Sequence, residues 1–308
     1  MFKILYRNLR DELVQELKDF KTGSWIHLEQ PTEKEVDLLV DQFSLDPLIV
    51  ADAMDIFELP RIEKDEDITY YFTRYALYST DLEKISTVPL LIIIGKNFFI
   101  TISSAKVPII NLFEKGKLNF RTTQKTNLLL QLLSTINLDY ENLIKKLSKQ
   151  IKQKSSNLEK ITNKKITQFV NFENIFDDIL FGLNPTGIAL NKLLKGKFVT
   201  LLEEDEELVE DLIQDNEQLI KVCNSSIKRV INTRDAYDNI LSNNLNKIMK
   251  LLTAVTVILT IPTMISGIFG MNVNLPLADN PLAFVIIISI TVALSFGLLF
   301  VFLKQDWL

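Results

Sequence analysis

Six small or hydroxylated residues, Thr253, Thr256, Thr260, Thr263, Gly267 and Gly270, recur at steps of three and four and so share one face of a helix. In an apolar segment such a face has two uses. Small residues let membrane helices approach closely while hydroxyls bond across the contact; alternatively, the threonine oxygens face water along a pore wall. Spacing alone leaves both open. Continued toward the N-terminus, the face adds Leu252 or Met249 and then Asn246. A ring of such apolar side chains from several copies would close a water path by dewetting. Continued the other way, the face ends on the short polar turn Gly270-Met271-Asn272-Val273-Asn274.

The residues of an enzyme are not in view. His27, the single histidine, follows Trp25-Ile26 in a strand-like segment with no ligand partners beside it and reads as structural. Cys223, the single cysteine, excludes an intrachain disulfide and a zinc-thiolate cluster, fits a reducing compartment and reads as a buried thiol. No phosphate-cradling glycine loop, histidine cluster or nucleophile motif appears. The lysines Lys145, Lys146, Lys149, Lys152 and Lys154 sit on several faces of a helix without interleaved aromatics, which argues for a solvated surface rather than a nucleic-acid site.

The elements that must position the stripe are membrane spans. Residues 251–303 carry one charged side chain, Asp279, and two apolar runs, Leu251 to Phe269 and Pro281 to Leu303, flank the polar turn. Each run is long enough to cross a hydrocarbon core of roughly 30 Å as a helix, and in lipid the helix is the form that satisfies the backbone. Arg229, Arg234, Lys247 and Lys250 precede the first span, Lys304 follows the second, and the turn has no basic residue. Both termini are therefore expected in the cytoplasm and the turn outside a multi-pass cell-membrane protein. The segment Met1 to Arg7 is too short and too soon charged for the apolar core of a signal peptide. Of 308 residues with a formal net charge of -5, roughly 250 precede the first span, ample for a cytosolic domain with its own core.

That domain reads as an α/β unit over 1–120. Trp25 to Leu28, Ile68 to Tyr78, Val88 to Ile94 and Phe98 to Ile102 are rich in β-branched and aromatic residues, Gly95-Lys96-Asn97 reads as a hairpin turn, and Thr32 with Glu35 forms a capping box. Residues 121–200 read as antiparallel helices, one over Thr122 to Ser155 and one over Lys164 to Lys195, with Gly182, Pro185 and Gly187 marking a kink or break. Over 201–269 an unbroken apolar stripe through Leu212, Leu219, Ile227, Leu241 and Leu252 predicts one stalk helix of roughly 100 Å that continues into the first span. An outer loop (270–280), a second span (281–303) and a cytoplasmic tail (304–308) complete the chain.

Gly270-Met271-Asn272, directly after a first span with a second close to the C-terminus, resembles the signature of CorA-type magnesium transporters. The context matches over most of the chain, including the long helix, the α/β domain and a Lys304 to Trp307-Leu308 tail similar to the family's basic tail. Asn246 to Thr253 resembles the start of its pore helix, and Ala51-Asp52-Ala53 with Pro60-Arg61-Ile62-Glu63 resembles its N-terminal domain motif. The resemblance implies a homopentamer whose first spans line a pore through Asn246, Met249, Leu252, Thr256, Thr260, Thr263 and Gly267, with Gly270, Met271 and Asn272 as the filter. Counted back from the signature, Asp211 falls where members carry an acid that binds regulatory Mg2+ with a neighbour's residue matching Asp52; the bland reading is two ordinary exposed carboxylates. The Met-Pro-Glu-Leu motif of many members is absent, leaving Asp279 as the sole acid of the outer loop to attract cations, Pro262 is displaced by one position, and the basic tail is reduced to Lys304.

Magnesium sheds its waters reluctantly, so Asn272 carboxamides helped by Gly270 carbonyls are expected to bond the hydrated ion through its shell. The expected function is passive uptake of Mg2+, with cobalt or nickel as further ions, gated by cytosolic Mg2+. The competing readings are a zinc transporter of the same superfamily, which Met271 disfavours, and a non-conducting membrane-anchored sensor or scaffold.

Overall fold

A computed structural model of the chain describes residues 2–78, 85–116, 118, 120–155, 163–273, 275–277, 280–305 and 307. In chain order its elements are β1 (Phe2–Tyr6), β2 (Gln15–Leu17), β3 (Trp25–Glu29), α1 (Glu33–Phe43), α2 (Pro47–Asp52), β4 (Arg61–Asp65), β5 (Ile68–Tyr78), β6 (Ile85–Ile94) and β7 (Phe99–Ser103). There follow α3 (Ile110–Glu114), α4 (Lys125–Ser155), α5 (Asn163–Leu194), α6 (Glu203–Phe269) and α7 (Ala283–Lys304). Two compact units emerge, one reaching Asn232 and the other running from Thr233 onward.

The first unit is built on a seven-stranded sheet in the order β2-β1-β3-β7-β6-β5-β4. Among the described residues only β3 and β7 pair in parallel; the other neighbours are antiparallel. The four segments rich in β-branched and aromatic residues are the central strands, where β7 and most of β5 and β6 are buried. Burial on both faces is what lets such strands read as continuous apolar runs instead of alternating ones. At the β6–β7 turn the Gly95 N–H donates to the Phe98 carbonyl, and a Cβ at Gly95 would collide with the Phe98 ring.

One face of the sheet packs against α1 and α2, where Leu39, Leu45 and Val50 join Ile26, Leu28, Phe72 and Ile100 in one buried cluster. Thr32 and Glu35 form the reciprocal cap of α1, with the Thr32 N–H 2.7 Å from the Glu35 carboxylate. Helices α4 and α5 pack on β5, with α5 also reaching β4 and β6.

The sequence predicts a kink or break in the second long helix; the helix is not broken, and α5 runs from Asn163 to Leu194 with Pro185 inside it. Proline removes the backbone donor that would serve the Phe181 carbonyl, and the two carbonyls that follow it in the helix take side-chain donors. The Thr186 hydroxyl donates to the Gly182 carbonyl at 2.8 Å, and the Asn216 amide of α6 donates to the Leu183 carbonyl at 3.0 Å. Gly182 is needed for approach, since a Cβ there would lie 3.1 Å from the Tyr140 hydroxyl oxygen.

Helix α6 is continuous for 67 residues. Its later part and α7, in the second unit, supply the two helices that are long and apolar enough to cross a membrane, and only 6% of the span-sized window in each is buried within the chain. Ala254 and Thr291 are buried, whereas Leu252, Leu259, Met264, Phe284, Phe296 and Phe300 are exposed. Apolar surface on this scale is the mark of a face meant for lipid or for other chains.

Candidate functional site

The helical continuity of α6 fixes the stripe. Asn246, Met249, Leu252, Thr253, Thr256, Thr260, Thr263 and Gly267 all fall within it and all are exposed in the single chain. Three of the threonines share one bonding pattern. The Thr256 hydroxyl donates to the Leu252 carbonyl at 2.8 Å, Thr260 to Thr256 at 2.8 Å and Thr263 to Leu259 at 2.9 Å. Each hydroxyl proton is thereby committed to the backbone, leaving lone pairs on the exposed face. These are acceptors in search of donors, and the waters around a metal cation are donors. A Cβ at Gly267 would meet nothing within 4 Å, so tight packing inside the chain does not explain that glycine.

Helix α6 ends at Phe269. The Gly270 N–H donates to the Ser266 carbonyl at 2.9 Å and the Met271 N–H to the Ile268 carbonyl at 3.2 Å. A Cβ on Gly270 would sit 3.2 Å from the Ser266 oxygen, tight against backbone. Met271 and Asn272 follow immediately and are exposed, so the Asn272 carboxamide is presented just beyond the helix terminus. Asp279 lies outside the described residues.

At the C-terminal end of this unit Trp307 stacks on Phe302 with ring centroids 5.5 Å apart, and its N–H donates to the Phe302 carbonyl at 3.0 Å. With Asn243, Asn246, Lys247, Met249, Lys250 and Thr253 it lines a cavity of about 690 Å3. Sequence reasoning missed this neighbourhood, because only the fold of the tail shows which helix face Trp307 meets.

The acidic candidates lie in the first unit. Asp52 closes α2, and its carboxylate accepts from Arg61 at 2.7 Å. The same guanidinium donates to Glu63 at 2.6 Å and to Glu58, and lies 4.1 Å from the Phe72 ring centroid. Arg61 thus holds three carboxylates, a role the Pro60-Arg61-Ile62-Glu63 run does not reveal. Arg74, buried on β5, donates to the Glu58 carbonyl at 2.6 Å and to the Thr87 hydroxyl at 3.0 Å, fixing the loop that leads to Arg61. Burial lowers its pKa from the ordinary value. Asp211 is exposed on α6, and among the described residues no hydrogen bond or ion pair joins it to Asp52 and no group of three or more His, Cys, Asp or Glu side chains is placed to hold a metal.

His27 is 2% exposed, with Nδ1 2.8 Å from the Thr101 hydroxyl. Burial lowers its pKa to about 4, so the imidazole is neutral at neutral pH. The Cys223 thiol is buried and pushed up to about 12, far from a reactive thiolate.

A family model described as CorA-like Mg2+ transporter protein matches residues 20–304. The cobalt/magnesium transport protein CorA of Methanocaldococcus jannaschii is 27% identical over 305 residues, covering 92% of this chain and 91% of that one. The complete structure of the CorA magnesium transporter from the same organism superposes with a TM-score of 0.88 at 24% identity, covering 100% of this chain and 99% of the other. The cytoplasmic domain of ZntB from Vibrio parahaemolyticus shares the fold of the soluble part, with a TM-score of 0.63 at 10% identity over 78% of this chain and 98% of that domain.

Proposed function

This chain belongs to the CorA-like Mg2+ transporter family, and on that premise we propose that it is a pentameric channel of the cell membrane for passive Mg2+ uptake, with cobalt and nickel as further ions. It is a membrane transporter and not an enzyme. The α6 helices of five copies surround the path, both termini lie in the cytoplasm, and Met249 and Leu252 form the apolar constriction below Thr256, Thr260, Thr263 and Gly267.

Selection falls to Gly270, Met271 and Asn272 at the outer mouth. The Asn272 carboxamides accept from and donate to the waters of the intact shell, which suits an ion that dehydrates reluctantly. Neutral oxygens hold a divalent ion weakly enough to release it. Below them the threonine lone pairs accept from the same waters. Asp279 adds a weak attraction for cations outside. The membrane potential contributes roughly 2.3 kcal/mol per charge per 100 mV, and about twice that for a divalent ion moving inward.

Cytosolic Mg2+ closes the path by bridging Asp52 of one copy to Asp211 of the next, favouring the closed ring by binding it better than the open one.

The observation that carries the reading is the exposed face of α6, its hydroxyl protons turned into the backbone, ending on an exposed carboxamide. Liposomes containing the protein and a magnesium-sensitive dye test it. Asn272→Ala is expected to lower selective uptake at least tenfold, and undiminished Mg2+ flux would remove Asn272 from the filter.

A further inference from the structure

Both apolar runs are bounded by lysine on the same side of the hairpin. Lys250 stands directly before Leu251 on α6, and Lys304 is the last residue of α7. These two residues mark the level of the membrane surface. The tail beyond Lys304 does not trail away from it. The backbone bond of Trp307 to the Phe302 carbonyl and the stack of its ring on Phe302, with 22° between the ring planes, fold the tail back. The indole thereby shares with α6 the cavity of about 690 Å3 described above.

The α6 side of that cavity has two parts. Successive residues stand about 100° apart around a helix, so Asn243, Lys247 and Lys250, at steps of four and three, form a flank beside the stripe that carries Asn246 and Met249. Among the described residues no carboxylate lines the space, and neither Lys247 nor Lys250 takes part in an ion pair with any of them. Two ammoniums, a donor amide and an indole therefore face one opening at the depth where hydrocarbon gives way to headgroups. An indole suits that depth because its ring is apolar and its N–H polar. The spans themselves deliver the ligand, since lipid phosphates stand at this level in any bilayer the chain crosses.

We propose that the cavity between Lys247 and Lys250 of α6 and Trp307 of the tail binds one anionic phospholipid, with its phosphodiester on the two ammoniums and its glycerol esters against the indole. A zwitterionic lipid brings a cationic headgroup of its own, which the lysines repel, so phosphatidylglycerol is preferred to phosphatidylcholine. Asn246 and Met249 also line the cavity, which puts the bound lipid beside the proposed constriction. Its binding does not depend on which ion passes there.

Native mass spectrometry of the full-length protein tests the site, with the detergent-solubilised protein stripped of co-purified lipid and titrated with phosphatidylglycerol or phosphatidylcholine of the same acyl chains. Phosphatidylglycerol is expected to be retained roughly tenfold more tightly, as two lysines near the surface allow. Lys247→Gln/Lys250→Gln should erase the preference, and Trp307→Ala should weaken retention of phosphatidylglycerol severalfold while Trp307→Phe restores most of it. Lys304, at the same depth, lies outside the lining, and Lys304→Gln should leave the preference intact. The same spectra report whether each variant keeps the assembly of the unaltered protein. Equal retention of the two lipids, an unchanged preference in the double lysine variant, or an equal loss in Lys304→Gln overturns the proposal. So does displacement of phosphatidylglycerol by millimolar inorganic phosphate, which would assign the cavity to the free anion.

Discussion

Asp52 meets any regulatory ion already paired. Its partner Arg61 divides one positive charge among three carboxylates, and the Asp52 side chain remains 47% exposed. An ion pair this open to water is worth little, on the order of 0–1 kcal/mol, so a divalent cation exchanges for the guanidinium at small cost. The same low cost would let one residue serve both the intrachain clamp and the proposed contact to a neighbour. Replacing Asp211 by Lys puts a cation where the bridging ion would sit. Millimolar Mg2+ is expected to protect the unaltered protein from chymotrypsin, and Asp211→Lys should lose that protection; a variant still protected by Mg2+ would exclude Asp211 from regulation. The motif around Asp52 is legible in the sequence by its resemblance. Arg61's hold on Asp52 is not, because a separation of nine residues becomes 2.7 Å only through the turn after α2.

Among the elements, the legible ones are those whose surroundings are uniform. Strands β3, β5, β6 and β7 announce themselves because burial asks for the same residue types along their length. Strands β2 and β4 lie at the two sheet edges, and the partly exposed Arg61-Ile62-Glu63-Lys64-Asp65 of β4 looks like loop. The continuity of α5 is hidden for a different reason. Glycine and proline signal a break locally, whereas the packing that carries α5 past them, with Asn216 of another helix donating to the Leu183 carbonyl, is supplied from elsewhere in the chain. Asn216 is 1% exposed. Asn216→Ala removes a buried hydrogen bond between two helices, a loss of about 0.5–1.5 kcal/mol. Chemical denaturation of the full-length protein should register it as a lower midpoint with an unchanged slope, and an unaltered midpoint would mean that water replaces the amide.

For the whole molecule, the exposed apolar length of α6 and α7 sets the terms. A single copy leaves Leu241, Leu245, Ile248, Met249 and Leu252 uncovered ahead of and at the membrane, and closed rotational symmetry is the economical way to cover one face on every copy at once. The detergent-solubilised complex should therefore have a protein mass about five times the 35.4 kDa chain by light scattering, and a monomeric mass would contradict the ring. The committed hydroxyl protons of Thr256, Thr260 and Thr263 have one more effect at this scale. In the proposed pore a chloride ion passing these three threonines would meet their lone pairs and none of their O–H groups. Were these threonines to line the proposed pore, that stretch would disfavour halides without an ionised side chain, because each helix spends those protons on its own carbonyls.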